Sequence, residues 1–169
     1  MKWRFLLLVL IIFSFSSTHA QNEKSKAQFI AHFTNKKYVE WQSLEDTFYI
    51  AIVKNKSLYD ELIYRSEAKL FFKREFVKIT YLENSKNISG YNVIYFNHKD
   101  YKDINSIQRR LKNENCIVIG ENYPFKTVMV NFIDHGDETI YEINEDLFKG
   151  KDIQVTNKLL RKRAKSEKE

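Results

Sequence analysis

The sequence predicts a single α/β domain: a mixed, mostly parallel β-sheet flanked by helices on both faces, as three α/β/α layers, with a C-terminal β-hairpin. Three observations carry this. Residues 48–53, 93–96 and 116–119 are apolar without a break, as strands are when both faces are covered. Segments with helical periodicity alternate with them, the order expected of a parallel sheet. After residue 127 the pattern changes to a hairpin with one face more polar than in the earlier strands, which adds antiparallel pairing.

Glu23 to Thr34 places Ala27, Ile30, Ala31 and Phe33 toward one side, an amphipathic helix. Tyr38, Val39 and Trp41 form an aromatic knot just past its end. Phe48 to Val53 is the first covered strand. Ser57 reads as the next helix N-cap, with Asp60 as the capping-box acid and Leu58, Leu62 and Ile63 as the buried stripe, ending near Lys69. Phe76 to Tyr81 is a strand rich in β-branched and aromatic residues. A polar loop, Asn84 to Gly90, leads to the strand Val93 to Phe96. Asp103 to Lys112 is helical through Ile104, Ile107 and Leu111, and Cys116 to Ile119 is the third covered strand. In the hairpin, Val128, Val130 and Phe132 alternate with Met129 and Asn131. Asp134-His135-Gly136-Asp137 turns the chain, and Thr139 to Asn144 returns. Glu145 to Phe148 is a short helix before Gly150, and Thr156 caps a last helix through Arg163.

The N-terminus has the three parts of a cleavable export signal. Lys2 and Arg4 supply the charge, Phe5 to Phe15 the apolar run, and Thr18-His19-Ala20 the small residues before a cut at Ala20. The run is roughly 11 residues, against about 20 for a membrane span. The expected organisation is therefore a leader over 1–20 and one domain over 21–169, with its core at about 23–163 and a basic tail over 161–169. No later apolar run of about 18 residues follows, so no transmembrane segment is expected in the mature chain. Lys2 and Arg4 account for two of the +6 charges of the 169-residue chain, which leaves +4 downstream. That excess gathers at Lys158, Arg161, Lys162, Arg163 and Lys165, where cations suit a helix C-terminus. Export argues against nucleic acid as a partner. Cys116 is the one cysteine, so an intramolecular disulfide is excluded, and its apolar strand marks it as a buried small hydrophobe.

Catalytic signatures are absent. The four glycines, at 90, 120, 136 and 150, build no phosphate-cradling loop, and neither a nucleophile elbow nor a His-Glu-x-x-His helix occurs. His32, His98 and His135 are far apart in sequence, and the tight turn around His135 splays its neighbours, so no metal or other cofactor is expected. Arg109-Arg110 reads as a solvated helix face. Glu142 and Asn144 flank Ile143 near a strand end and share a face, a polar pair. Tyr38, Trp41, Phe48 and Tyr49 read mainly as core, with Trp41 beside a loop and available to a surface patch. The residues alone thus point to binding or regulation rather than catalysis.

Three stretches, in order, resemble the YfiR/HmsC-like family of periplasmic regulators. The first is Lys26-Ala27-Gln28-Phe29 through Phe33-Thr34, then Lys37-Tyr38-Val39-Glu40-Trp41. The second is the strand Tyr91 to Phe96, its following helix and the strand to Gly120. The third is Met129-Val130-Asn131-Phe132, a turn, Tyr141-Glu142-Ile143-Asn144, and Ile153 to Leu160. Asn35 and Lys36 look inserted, Gln42 stands where a proline is usual, and Tyr91 stands where many relatives have a cysteine. Control through an internal disulfide therefore does not carry over. The resemblance implies a non-enzymatic periplasmic repressor in cyclic-di-GMP and biofilm signalling. Its partner would be the extracytoplasmic sensor part of an inner-membrane receptor, a diguanylate cyclase or histidine kinase. The contact surface is expected near Tyr38, Trp41 and the hairpin ends with Glu142 and Asn144, and a homodimer is compatible. Two competing readings use the same pair: a periplasmic small-ligand binder with Glu142 and Asn144 in its site, and a hydrolase built on Glu142.

Overall fold

The computed structural model describes residues 21–68, 72, 76–97, 104–124, 126–136 and 138–160. The chain runs through α1 (described from residue 21 to 32), β1 (Val39–Trp41), β2 (Thr47–Val53), α2 (Lys56–Glu67) and β3 (Phe76–Leu82). It continues through β4 (Val93–Asn97), α3 (Ile104–Arg110), β5 (Ile117–Glu121), β6 (Val130–His135) and β7 (Glu138–Ile143). A 3-10 turn (Glu145–Phe148), β8 (Ile153–Val155) and helical residues 157–160 (α4) close it. The leader with its cut at Ala20, Lys69, His98, Asp103, Asp137 and the tail 161–169 lie outside the described residues.

Six strands form one sheet in the order β3-β2-β4-β5-β6-β7. All neighbours are parallel except the hairpin β6-β7. The three apolar segments occupy its centre, and this explains their lack of alternation. From β2 the crossover through α2 moves to one edge; from β4 the crossover through α3 moves toward the other. Right-handed crossovers in opposite directions put the two helices on opposite faces. α1 joins the α2 face: Phe29 stacks on Tyr141 at 4.0 Å and meets Phe132 edge-on at 5.7 Å. Tyr59 of α2 packs on Tyr81 of β3 at 5.7 Å. Ile50, Ile52, Tyr95, Ile119 and Phe132 point to this face, and Ala51, Val53, Ile94, Phe96 and Val118 to the other; all are buried.

Two expectations are corrected. Asn55, not Ser57, caps α2: its Oδ1 accepts from the Leu58 amide at 3.0 Å in extended backbone. Asp60 is no capping-box acid but pairs with Lys56 one turn away, at 2.7 Å. The knot after α1 is a strand. β1 pairs antiparallel with β8, Val39 opposite Val155, and the Thr156 amide extends the ladder to the Tyr38 carbonyl at 2.9 Å. Strands of three residues are too short to show a period, which is why β8 has no sequence signature.

Gly120 is the one glycine whose size the fold demands. A Cβ there would run into the Tyr123 ring and a Val128 methyl. Gly120→Ala is expected to cost about 1–3 kcal/mol by overpacking, read as a lower urea midpoint at unchanged slope.

Candidate functional site

In open α/β sheets, ligands bind at the C-terminal ends of the strands where the crossovers diverge. Here that place lies between β2 and β4, and the chain's own side chains fill it. Lys26 comes down from α1, with its side chain 1% exposed. Its Nζ lies 3.0 Å from Glu121 Oε2 at the end of β5, 2.9 Å from Asp134 Oδ2 near the end of β6, and 3.5 Å from Glu23 Oε1 one turn back. The Tyr95 hydroxyl, from the middle of β4, donates to Glu121 Oε2. Asn55, just past β2, donates through Nδ2 to the Tyr95 oxygen at 3.1 Å and to Glu23 Oε1 at 3.4 Å. Thr139 of β7 donates to Asp134 Oδ1 at 2.9 Å, and Asn22 donates to the Gly136 carbonyl at 3.1 Å. The ends of four strands and the start of α1 thus meet in one polar cluster.

Three carboxylates surround one ammonium. Burial alone would lower the Lys26 pKa, but Glu23, Glu121 and Asp134 outweigh it and the net direction is upward. Burial, then the charge of Glu121, raises Tyr95 well above 10, so its hydroxyl keeps its proton and stays a donor. The site therefore holds a charged lysine against carboxylates through ordinary pH, which is the chemistry of a clasp. Among the described residues, no group of three or more His, Cys, Asp or Glu is arranged to hold a metal.

The four residues singled out for partner contact fall into two places. Tyr38 and Trp41 belong to the small β1-β8 sheet. Trp41 Nε1 donates to the Phe33 carbonyl at 3.0 Å, closing the end of α1, and its ring meets Phe48 edge-on at 5.3 Å. Its outer side lines a cleft of about 600 Å³ with Asn35, Lys36, Gln42, Glu45 and Asp46. Tyr38 stacks on His32 at 4.4 Å. Glu142 and Asn144 lie in and just after β7 of the main sheet. Glu142 Oε2 accepts from buried Asn131 at 3.2 Å, and Asn131 also clamps the Tyr123 backbone at 2.8 and 3.0 Å. Asn144 donates to the Lys126 carbonyl at 3.2 Å. Both brace the segment that leads into β6. Cys116 is fully buried, and burial pushes its thiol up to about 11.

Sequence reasoning missed the cluster of Lys26, Tyr95, Glu121 and Asp134. One signal was present: Lys26, Ile30 and Phe33 share the i, i+4, i+7 spacing of a buried face, so a lysine stands on the apolar stripe.

No described helix is long and apolar enough to cross a membrane. A search of curated proteins gives no match. The model of the YfiR/HmsC-like family matches residues 23–162, from the first turn of α1 through the described residues of α4, and the chain belongs to that family.

Proposed function

We propose that this chain is a non-enzymatic periplasmic regulator that binds the extracytoplasmic sensor part of an inner-membrane diguanylate cyclase or histidine kinase and represses it. Membership of the YfiR/HmsC-like family over residues 23–162 is the observation that carries this reading. Two features agree with it. The N-terminal sequence has the form of an export leader. The crevice where α/β sheets accept substrates is occupied by Lys26 and its carboxylates. Repression follows if the regulator binds the inactive sensor more tightly than the active one, since differential affinity alone shifts a two-state equilibrium.

The contact surface in this reading centres on Tyr38, Trp41 and the cleft beside them, with Glu142 and Asn144 at the hairpin end. Aromatic side chains beside a concavity are the usual anchors of such surfaces. Crosslinked capture of the tagged protein from detergent-solubilised membranes of its own host tests it. One inner-membrane receptor with an extracytoplasmic domain is expected, and Trp41→Ala should weaken its capture by about tenfold or more. Because Trp41 also closes α1, Glu45→Lys, an exposed change on the same cleft, is measured beside it. Recovery of no membrane receptor would sink the proposal.

A further inference from the structure

A groove of about 550 Å³ runs between the end of α3 and the loop that joins the 3-10 turn to β8. Small-molecule sites have this size. α3 and the 3-10 turn lie on opposite walls, and the groove is the gap between them over the start of the β5-β6 pairing. Leu111, Val118 and Met129, all buried, close its bottom, and half-buried Leu147 forms part of one wall. The ladder from β5 to β6 begins only at Ile119 opposite Val130. Just before it, the Val118 amide turns to the Met129 sulfur at 3.5 Å, which fixes an adaptable thioether at the bottom. The rim has the opposite character. Arg109, Lys112, Lys149 and Lys151 stand there against one carboxylate, Asp146. Asp146 pairs with Lys149 at 2.6 Å, and both side chains are largely exposed. Lys151 is held by the carbonyls of Leu111, Lys112 and Glu114 at 3.3, 3.4 and 2.6 Å, so it keeps its place without a counter-ion. Arg109 and Lys112 enter none of the ion pairs among the described residues.

We infer that this groove binds a small carboxylate with an apolar body. Arg109 and Lys112 take the carboxylate, and the body fills the space over Met129 and beside Leu147. The two halves of the groove select this chemistry together. An apolar bottom alone would accept a neutral molecule, and a cationic rim alone would accept any anion. The Arg109 guanidinium adds a planar fork that matches a carboxylate. The carbon stems of Arg109 and Lys112 extend the apolar lining up to the charged heads. A flat anionic surface, such as a bilayer, would reach the rim but leave the bottom unfilled. The inference is independent of the proposed receptor, since the groove shares no residue with the Trp41 cleft or with the pair Glu142 and Asn144.

Titration calorimetry of the purified exported chain tests it with three probes: decanoate below its micelle concentration, acetate, and decylamine. Decanoate should bind saturably at one site. Acetate, which has the charge without the body, and decylamine, which has the body with the opposite charge, should not. The double substitution Arg109→Gln and Lys112→Gln removes two exposed charges and should raise the decanoate Kd about tenfold. Circular dichroism verifies that the variant keeps the fold, and the decylamine comparison on the parent chain needs no variant. Absence of saturable decanoate binding overturns the inference. So does decylamine binding as tight as that of decanoate, or a decanoate Kd unmoved by the double substitution. Binding to phosphatidylglycerol vesicles without binding of free decanoate would assign the rim to a membrane surface and overturn it as well.

Discussion

Lys26→Met should lower the free energy of unfolding by about 3–5 kcal/mol at neutral pH, the cost of removing one partner from a buried ion pair. The substitution keeps the volume and the apolar stem but leaves Glu23, Glu121 and Asp134 without the ammonium that faces them at 2.9–3.5 Å. Glu121, with its side chain 9% exposed, has the least access to water as compensation after Glu23, at 5%. A second substitution separates charge from packing. Adding Glu121→Gln to Lys26→Met should recover part of the loss, because one uncompensated carboxylate is gone. Urea unfolding of the three proteins at neutral pH provides the comparison. A loss below about 1 kcal/mol would mean that water reaches the cluster and that the clasp contributes no more than a surface pair.

Stability should fall steeply as the pH rises above about 9. Lys26, Tyr95 and Cys116 all have folded-state pKa values raised above their ordinary ones. The folded chain therefore holds protons that the unfolded chain releases, and ∂ΔG/∂pH is negative in that window. Each contribution is complete below the unfolded pKa and disappears as the pH passes through the folded one. For Cys116 the window runs from 9.0 to about 11, worth about 2–3 kcal/mol. Lys26 and Tyr95 act in the same direction from near their ordinary values of 10.5 and 10.0 upward. A series of urea midpoints between pH 8 and about 11 should show the decline, and Cys116→Ala should flatten its lower part. A midpoint constant across that range would refute the argument.

The parallel sheet was readable because its central strands are covered twice and lose their alternation, as in Ile94-Tyr95-Phe96 and Ile117-Val118-Ile119. The hairpin was readable through its turn, where Gly136 takes φ 59°. The cap of α2 was misplaced by two residues because Ser57 and Asn55 both have capping chemistry, and only the backbone decides which stands in extended conformation. The clasp was hidden for a different reason. Tyr95 and Glu121 sit in or at the end of apolar runs and Asp134 in a turn motif, so each has an ordinary local explanation. Only the sheet order brings them to Lys26. Trp41 was readable as an aromatic beside a loop, but not its bond to the Phe33 carbonyl, which depends on where α1 stops.

The clasp also sets an order of events for the newly made chain. Lys26 and Asp134 are 108 residues apart, and Asn22 reaches Gly136 across 114. A chain that still lacks β5 and β6 offers Lys26 only Glu23, one turn back on its own helix, and an ammonium without its two nearer carboxylates resists burial. α1 must therefore wait, with Phe29, Ile30 and Phe33 uncovered, until the distant strands arrive. Pulse-labelled hydrogen exchange during refolding should find α1 amides protected together with β6 and not before; earlier protection would show that α1 docks without its counter-ions. A first helix that cannot seat itself early leaves the chain pliable until its last strands are made.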